Sequence, residues 1–303
     1  MRGLIDLAAR DERPLLLTGD LGYLVIEPFA ERFARRFFNV GVAEQDMVGI
    51  ASGLAEAGFI PFVYSIATFA SLRPYEFVRN GPVYHRLPVR IVGIGGGFEY
   101  GVDGFTHHAV DDLGVFRLQP GLMVLAPADA RQARSALEAT WDLPGPIYYR
   151  LGKDDKTTVE GLDGRFDPAR VELIGDGTDV LLLATGAIAT EAERAVRRLG
   201  ATGVRATLGI VACLSPPPEA DLARLLARFP VALTVEAHNA VGGLGSLACE
   251  VVAEHGLASR IVRCGVRGVG DGRTGTQAWY EERYGISASA LVETALRALR
   301  RAG

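Results

Sequence analysis

The stretch FNVGVAEQDMVGIASGLAEAGF (38–59) reads as a strand end, a short turn and a helix, with Glu44 at the helix start. Two chemistries compete for that acid. A carboxylate in a first helical turn is favoured by the helix dipole, by a few tenths to about 1 kcal/mol. Gly41, Val42, Ala43, Met47, Val48, Ile50 and Ala51 would bury the turn. A buried carboxyl tends to keep its proton, and can then donate a hydrogen bond or exchange the proton with a partner. Farther along, DGFTHH (103–108) holds two histidines behind an aspartate. A histidine can shuttle protons near neutral pH. The same six residues are compatible with a surface turn. A metal site is disfavoured, since no third or fourth ligand has sensible spacing. Phe69, taken alone, reads as a core phenylalanine.

The elements around these groups follow an α/β pattern. PLLLTGD (14–20), FIPFVYS (59–65), VRIVGIG (89–95), MVLAP (123–127) and PIYYRL (146–151) read as strands. Between them PFAERFARRF (28–37), 44–57, a segment from Phe69 to about Tyr84, and DARQARSALEATW (129–141) read as helices, the last with Asp129 as N-cap. Continuous apolar strands between helices predict a parallel sheet covered on both faces. Residues 153–167 are polar and Gly-containing and read as a linker. The pattern then restarts with strands at 179–185, 203–211, 230–237 and 260–266, and a last helix from about Ser287 carrying Leu291, Val292, Leu296 and Leu299 on one face. The expectation is two α/β domains, 1–152 and 168–303, each a mainly parallel sheet with helices on both faces. Such sheets bind ligands at the C-terminal ends of their strands.

Composition narrows the classes. The 303 residues are 49% hydrophobic and 22% charged, with a net charge of −4, so no polybasic nucleic-acid surface is expected. No apolar run approaches the ~20 residues that span a bilayer. MRGLIDLAARDERP is an amphipathic charged helix without a signal-peptide core. Cys213, Cys249 and Cys264 make no metal or redox spacing and read as small core hydrophobes. The cytoplasm is the default compartment.

FFNVGVAEQDMVGIASGLAEAGFIPFV resembles the pyrimidine-binding domain of transketolases, and VEAHNAVGGLGS (235–246) is similar to a segment of their C-terminal domain. The likeness covers essentially the whole chain. It implies that Glu44 bonds N1′ of the aminopyrimidine of thiamine diphosphate and so promotes loss of the thiazolium C2 proton. It implies that Phe69 stacks on that ring, with Ile66 in apolar contact where the family often has a second aromatic. Asp103 and His107 fall on residues that contact substrate hydroxyls and the reacting carbonyl. Asp20 matches an acid near the cofactor, with turn capping as its rival. Arg150 matches an arginine that grips a substrate phosphate, a task its planar fork suits; the alternative is a salt bridge beside the linker.

Departures from the family sharpen the reading. Transketolases hold diphosphate and Mg²⁺ through GDG and an Asn roughly 25–30 residues later. GDG occurs here at 175–177 and 270–272, but Asn39, Asn80 and Asn239 all lie elsewhere. The resemblance therefore implies one subunit of a split transketolase, whose partner brings the diphosphate and Mg²⁺ site, in a heterotetramer. Gly95 stands where a histidine is usual and Leu24 where a serine is usual. Both lost groups bind a sugar phosphate, which implies a non-standard donor or acceptor. The expected reaction moves a two-carbon ketol unit from a ketose to an aldehyde. The rivals are a deoxyxylulose-phosphate-synthase-like subunit, a 2-oxoacid dehydrogenase β subunit, or a non-catalytic scaffold subunit.

Overall fold

The computed structural model describes residues 1–268 and 270–301. The first half carries β1 (Pro14–Thr18), β2 (Phe37–Asn39), β3 (Ile60–Ile66), β4 (Arg90–Ile94), β5 (Met123–Leu125) and β6 (Ile147–Leu151). The second carries β7 (Glu172–Ile174), β8 (Val180–Thr185), β9 (Ala206–Ile210), β10 (Cys213–Ser215), β11 (Val231–Asn239) and β12 (Arg260–Val266). They form two α/β domains on two sheets, ordered β10-β5-β6-β4-β3-β1-β2 and β12-β11-β8-β9-β7. Every pairing is parallel except β10 with β5 and β7 with β9.

Side-chain alternation explains why these strands read as unbroken apolar runs. Leu15, Leu17, Val63 and Ile91 face one way, against Met47, Val48 and Ala51 of the helix Glu44–Glu56. Leu16, Phe62 and Tyr64 face the other way, against Leu4 and Leu7 of the helix Arg2–Arg10. With both faces covered, the polar half of the usual period-two pattern disappears. The first of these cores continues into the second half through Leu181, Leu183, Leu222 and Leu244, so apolar packing joins the two sheets.

Four local readings change. The expected helix 28–37 is shorter, Glu27–Arg32 followed by a 3-10 turn Ala34–Arg36. Phe37 instead pairs with Leu16 of β1, beside the strand end read at Phe38, a tertiary pairing that overrides the helical pattern. The helix expected from Phe69 breaks into Ala67–Ser71, Tyr75–Val78 and a π turn Arg79–Val83. Pro74 and Pro82 lie within it, and a proline has no N–H to continue a helix. Segment 153–167 is more than a polar connector, since it buries Val159 and Leu162. Asp129 caps its helix as expected, accepting from Gln132 N at 2.8 Å, and its other oxygen accepts from Val159 N at 2.9 Å. Finally, β10 comes from the second half yet closes the edge of the first sheet.

Glu236 on β11 is buried, and its oxygens accept from Leu244 N and Gly245 N at 2.8 Å each. Burial outweighs those bonds and pushes its pKa up to about 7, from 4.5. Below the lower value the acid is protonated folded or unfolded and costs nothing. As pH rises through the interval the unfolded chain releases a proton that the folded chain keeps, so stability falls and then levels off above about pH 7. Relative to Glu236→Gln, the wild type is expected to lose on the order of 3 kcal/mol between pH 4 and 8. Urea midpoints of the two proteins across that range check this; parallel profiles would refute it.

Candidate active site

The C-terminal ends of β1, β2, β3 and β4 point to one edge of the first sheet, and the segments that leave it carry Asp20, Glu44, Phe69, Asp103 and His107. Glu44 opens its helix and is 1% exposed. It does not act as a cap: Ala43 holds the N-cap position, with no side-chain capping bond. Ser65 Oγ, at the buried end of β3, donates to Glu44 Oε1 at 3.0 Å. Arg73 Nη1 donates to Oε2 at 2.9 Å. Gly19 matters here, because a Cβ at that position would already touch Oε1, at 3.4 Å.

Arg73 also covers Phe69. Its guanidinium carbon lies 3.8 Å from the Phe69 ring centroid. One flat cation thus stacks on the aromatic face and bonds the acid at the same time. The His107 ring meets Phe69 edge-on at 5.1 Å and 68°. Ile66 ends β3 and is half-buried beside this cluster.

The loop after β4 brings His107 close by two short turns, Gly101–Asp103 and Phe105–His107, hinged at Gly104 with φ +82°. Asp103 is exposed. Thr106 Oγ1 lies 2.9 Å from His107 Nδ1. His108 precedes the helix Asp112–Arg117. Its buried ring packs on Phe98 and Tyr280, and burial pushes its pKa down. Asp20 is exposed at the end of β1 in a left-handed conformation, φ +58°. Asn39 Nδ2 donates to its Oδ1 at 2.8 Å, and its own N–H donates to Asn39 Oδ1 at 3.1 Å. That exchange fixes the turn.

Arg150 stands apart from this group. It is 4% exposed on β6, and Nε donates to Asp112 Oδ2 at 2.9 Å. Nη2 donates to Ala109 O and to Ala237 O, which lie in different halves of the chain. Its fork therefore ties the two domains together instead of standing open for a phosphate. The two family departures also acquire a structural form. Leu24 is 95% exposed with φ +67°. At Gly95, φ is +76°, and a Cβ would lie 2.1 Å from Tyr100 Cε2. The Tyr100 ring fills the space of a side chain at that position, and Lys153 Nζ lies 3.8 Å over that ring. Gly95→Ala is expected to destabilise the fold by about 2 kcal/mol, combining overpacking with left-handed strain. Thermal unfolding reads this, and an unchanged midpoint would mean Tyr100 yields freely.

Sequence reasoning missed Ser65, Arg73 and Tyr100. A signal existed for Arg73, which lies four residues after Phe69, the spacing at which helical neighbours meet. Among the described residues no group of three or more His, Cys, Asp or Glu is arranged to hold a metal ion, and no helix is long and apolar enough to cross a membrane.

Residues 2–157 match the transketolase pyrimidine binding domain and residues 169–291 the transketolase C-terminal domain. The chain belongs to the transketolase family. A putative transketolase C-terminal section of Methanocaldococcus jannaschii is 33% identical, over 98% of this chain and 94% of that protein. A 6-deoxy-6-sulfo-D-fructose transketolase subunit of Clostridium sp. MSTE9 is 32% identical, over 96% of this chain and 90% of its own. Among solved structures, a split gene transketolase described as an inactive β4 tetramer superposes with a TM-score of 0.87 at 33% identity, over 99% of this chain and 96% of the other.

The transketolase family points to thiamine diphosphate, and the residues present fit its pyrimidine end. An aminopyrimidine needs an aromatic face to lie on and a carboxyl group at its edge. Phe69 and Glu44 supply both, and the group they hold in this structure, the Arg73 guanidinium, is itself flat, nitrogen-rich and donating.

Proposed function

We infer that this chain is the pyrimidine-binding subunit of a split transketolase, with residues 1–152 as the pyrimidine-binding domain and 168–303 as the C-terminal domain. One observation carries the reading: a buried acid and an aromatic face set around a slot for a flat, donating group. When bound, thiamine diphosphate supplies the carbon nucleophile that accepts a two-carbon ketol unit. Glu44 bonds the edge of the pyrimidine and exchanges a proton there. Phe69 holds the ring by stacking, with Ile66 in apolar contact. His107, edge-on to Phe69, moves protons on substrate oxygens, and Asp103 binds substrate hydroxyls. Asp20, held by Asn39, lies at the cofactor side of the cleft.

The diphosphate and Mg²⁺ belong to a partner chain carrying GDG and Asn, in a heterotetramer that works in the cytoplasm. The donor is a ketose whose far end differs from an ordinary sugar phosphate. Three groups expected to grip phosphate are altered here: Gly95 is covered by Tyr100, Leu24 offers no donor side chain, and Arg150 is engaged between the domains. The clostridial relative, named for a sulfonated fructose, is consistent with such a substrate.

Co-expression with a neighbouring chain that carries GDG and Asn tests the assignment. The purified pair is expected to be a heterotetramer by light scattering and to turn over a ketose from a donor panel. This chain alone is expected to turn over none. Tight, Mg²⁺-dependent binding of thiamine diphosphate by this chain alone would refute the split-site reading.

A further inference from the structure

We propose that Arg73 is an internal stand-in for the aminopyrimidine, filling the slot between Phe69 and Glu44 in the free subunit and leaving it when the cofactor enters. The proposal rests on the cofactor reading of Glu44 and Phe69 given above. Its own support is geometric. The guanidinium makes both contacts assigned to the pyrimidine: its carbon lies 3.8 Å from the Phe69 centroid, and Nη1 donates to Glu44 Oε2 at 2.9 Å. A ring stacked on the same face needs the same volume, so the two occupants exclude each other.

The physical need for a stand-in is plain. Glu44 is 1% exposed, and a buried carboxylate left without a partner is strongly destabilising. An uncovered Phe69 face would stand open beside it. The guanidinium answers both, through a charge-assisted hydrogen bond and a cation–π contact. Arg73 is also free to leave. Its side chain is 39% exposed. Its Cα lies between the short helices Ala67–Ser71 and Tyr75–Val78, immediately before Pro74. Among the described residues its one side-chain hydrogen bond is to Glu44. Rotation about the side chain therefore opens the slot without moving the backbone, and the charge passes to solvent. As the guanidinium leaves, Glu44 exchanges an intramolecular donor for the edge of the pyrimidine and is never left bare. Apparent cofactor affinity is then reduced by the fraction of molecules in which the slot is closed.

The test uses the full-length chain with two probes, thiamine diphosphate and thiamine, which carries the pyrimidine without the diphosphate. Ligand-observed NMR titrations give dissociation constants in the weak range expected of a half site. Arg73→Ala is expected to bind both probes about fivefold tighter, the factor to which ~1 kcal/mol of lost competition converts. Arg73→Met, which keeps the apolar stem, gives the same readout should the alanine variant fold poorly. Methylguanidinium added to Arg73→Ala refills the slot and reverses the gain, while leaving the wild type unchanged. Glu44→Ala and Phe69→Ala in the Arg73→Ala background separate this proposal from the reading beneath it. If neither weakens thiamine binding, the cofactor assignment of the slot is wrong. If both weaken it but Arg73→Ala and Arg73→Met bind no tighter than the wild type, the slot is right and the stand-in role is overturned.

Discussion

Glu44→Gln lowers turnover of the assembled enzyme by about 10²–10⁴-fold, the range for loss of a positioned acid–base group. Glutamine keeps the size of the side chain and can still bond Ser65. It cannot exchange a proton with a ring nitrogen. Arg73 loses its ionic partner, but at 39% exposure it finds water instead, so the variant remains folded. Because the loss concerns proton exchange, it falls on kcat, with cofactor affinity reduced far less. Steady-state kinetics of the co-expressed pair at saturating thiamine diphosphate measure this. Turnover within a factor of two of the wild type would show that Glu44 does no proton chemistry, and the scaffold reading would then stand.

The second large effect concerns stability. Asp112→Ala is expected to cost about 3–5 kcal/mol, because it leaves a buried guanidinium without its counter-charge. Asp112 is fully buried, and its Oδ2 accepts from Arg150 Nε at 2.9 Å and from the Tyr148 phenolic hydroxyl at 2.7 Å. Burial lowers the Arg150 pKa, but the Asp112 charge and its hydrogen bond outweigh it and hold the pKa above its ordinary value. Losing the acid also loosens the bonds from Nη2 to Ala109 O and Ala237 O, so the contact between the domains weakens with it. Urea unfolding of the single variants and of Asp112→Leu with Arg150→Met checks the account. The double variant should recover much of the loss, since an apolar pair of similar volume can replace a buried ion pair. A cost below about 1 kcal/mol for Asp112→Ala would show that water reaches the pair. Normal stability of Arg150→Met together with a raised KM for phosphorylated donors would restore Arg150 as a phosphate grip.

Much of the fold was legible because its signals are local. Runs such as LLL in β1 and VLLLA in β8 announce strands covered on both faces. Asp129 announces a helix start that the structure caps as expected, and the last helix starts at about Ser287 as read, with Ser287 itself capping it. Glu44 and Phe69 were paired only through the family resemblance, and the structure brings them together because a parallel sheet sends its loops to one edge. β2 was only half legible. Its end at Phe38 reads as a strand end, but Phe37 reads as helix, and pairing with β1 is what makes it a strand. The same holds for β10, whose partner β5 lies in the other half of the chain.

Sequence alone determined the α/β class, the passage carrying Glu44 and Phe69, and the lack of a GDG–Asn pair at the spacing the family uses. The first two depend on residue type at short spacing, which local backbone geometry converts directly into position, and the third on residue type alone. Tertiary structure alone decided who faces whom. Arg73 lies on Phe69 and Glu44, Tyr100 fills the space beside Gly95, and Arg150 turns from the cleft to Asp112. Long charged and aromatic side chains reach several ångströms from their own backbone. Their partners are set by how strands and domains dock, and no spacing along the chain encodes that.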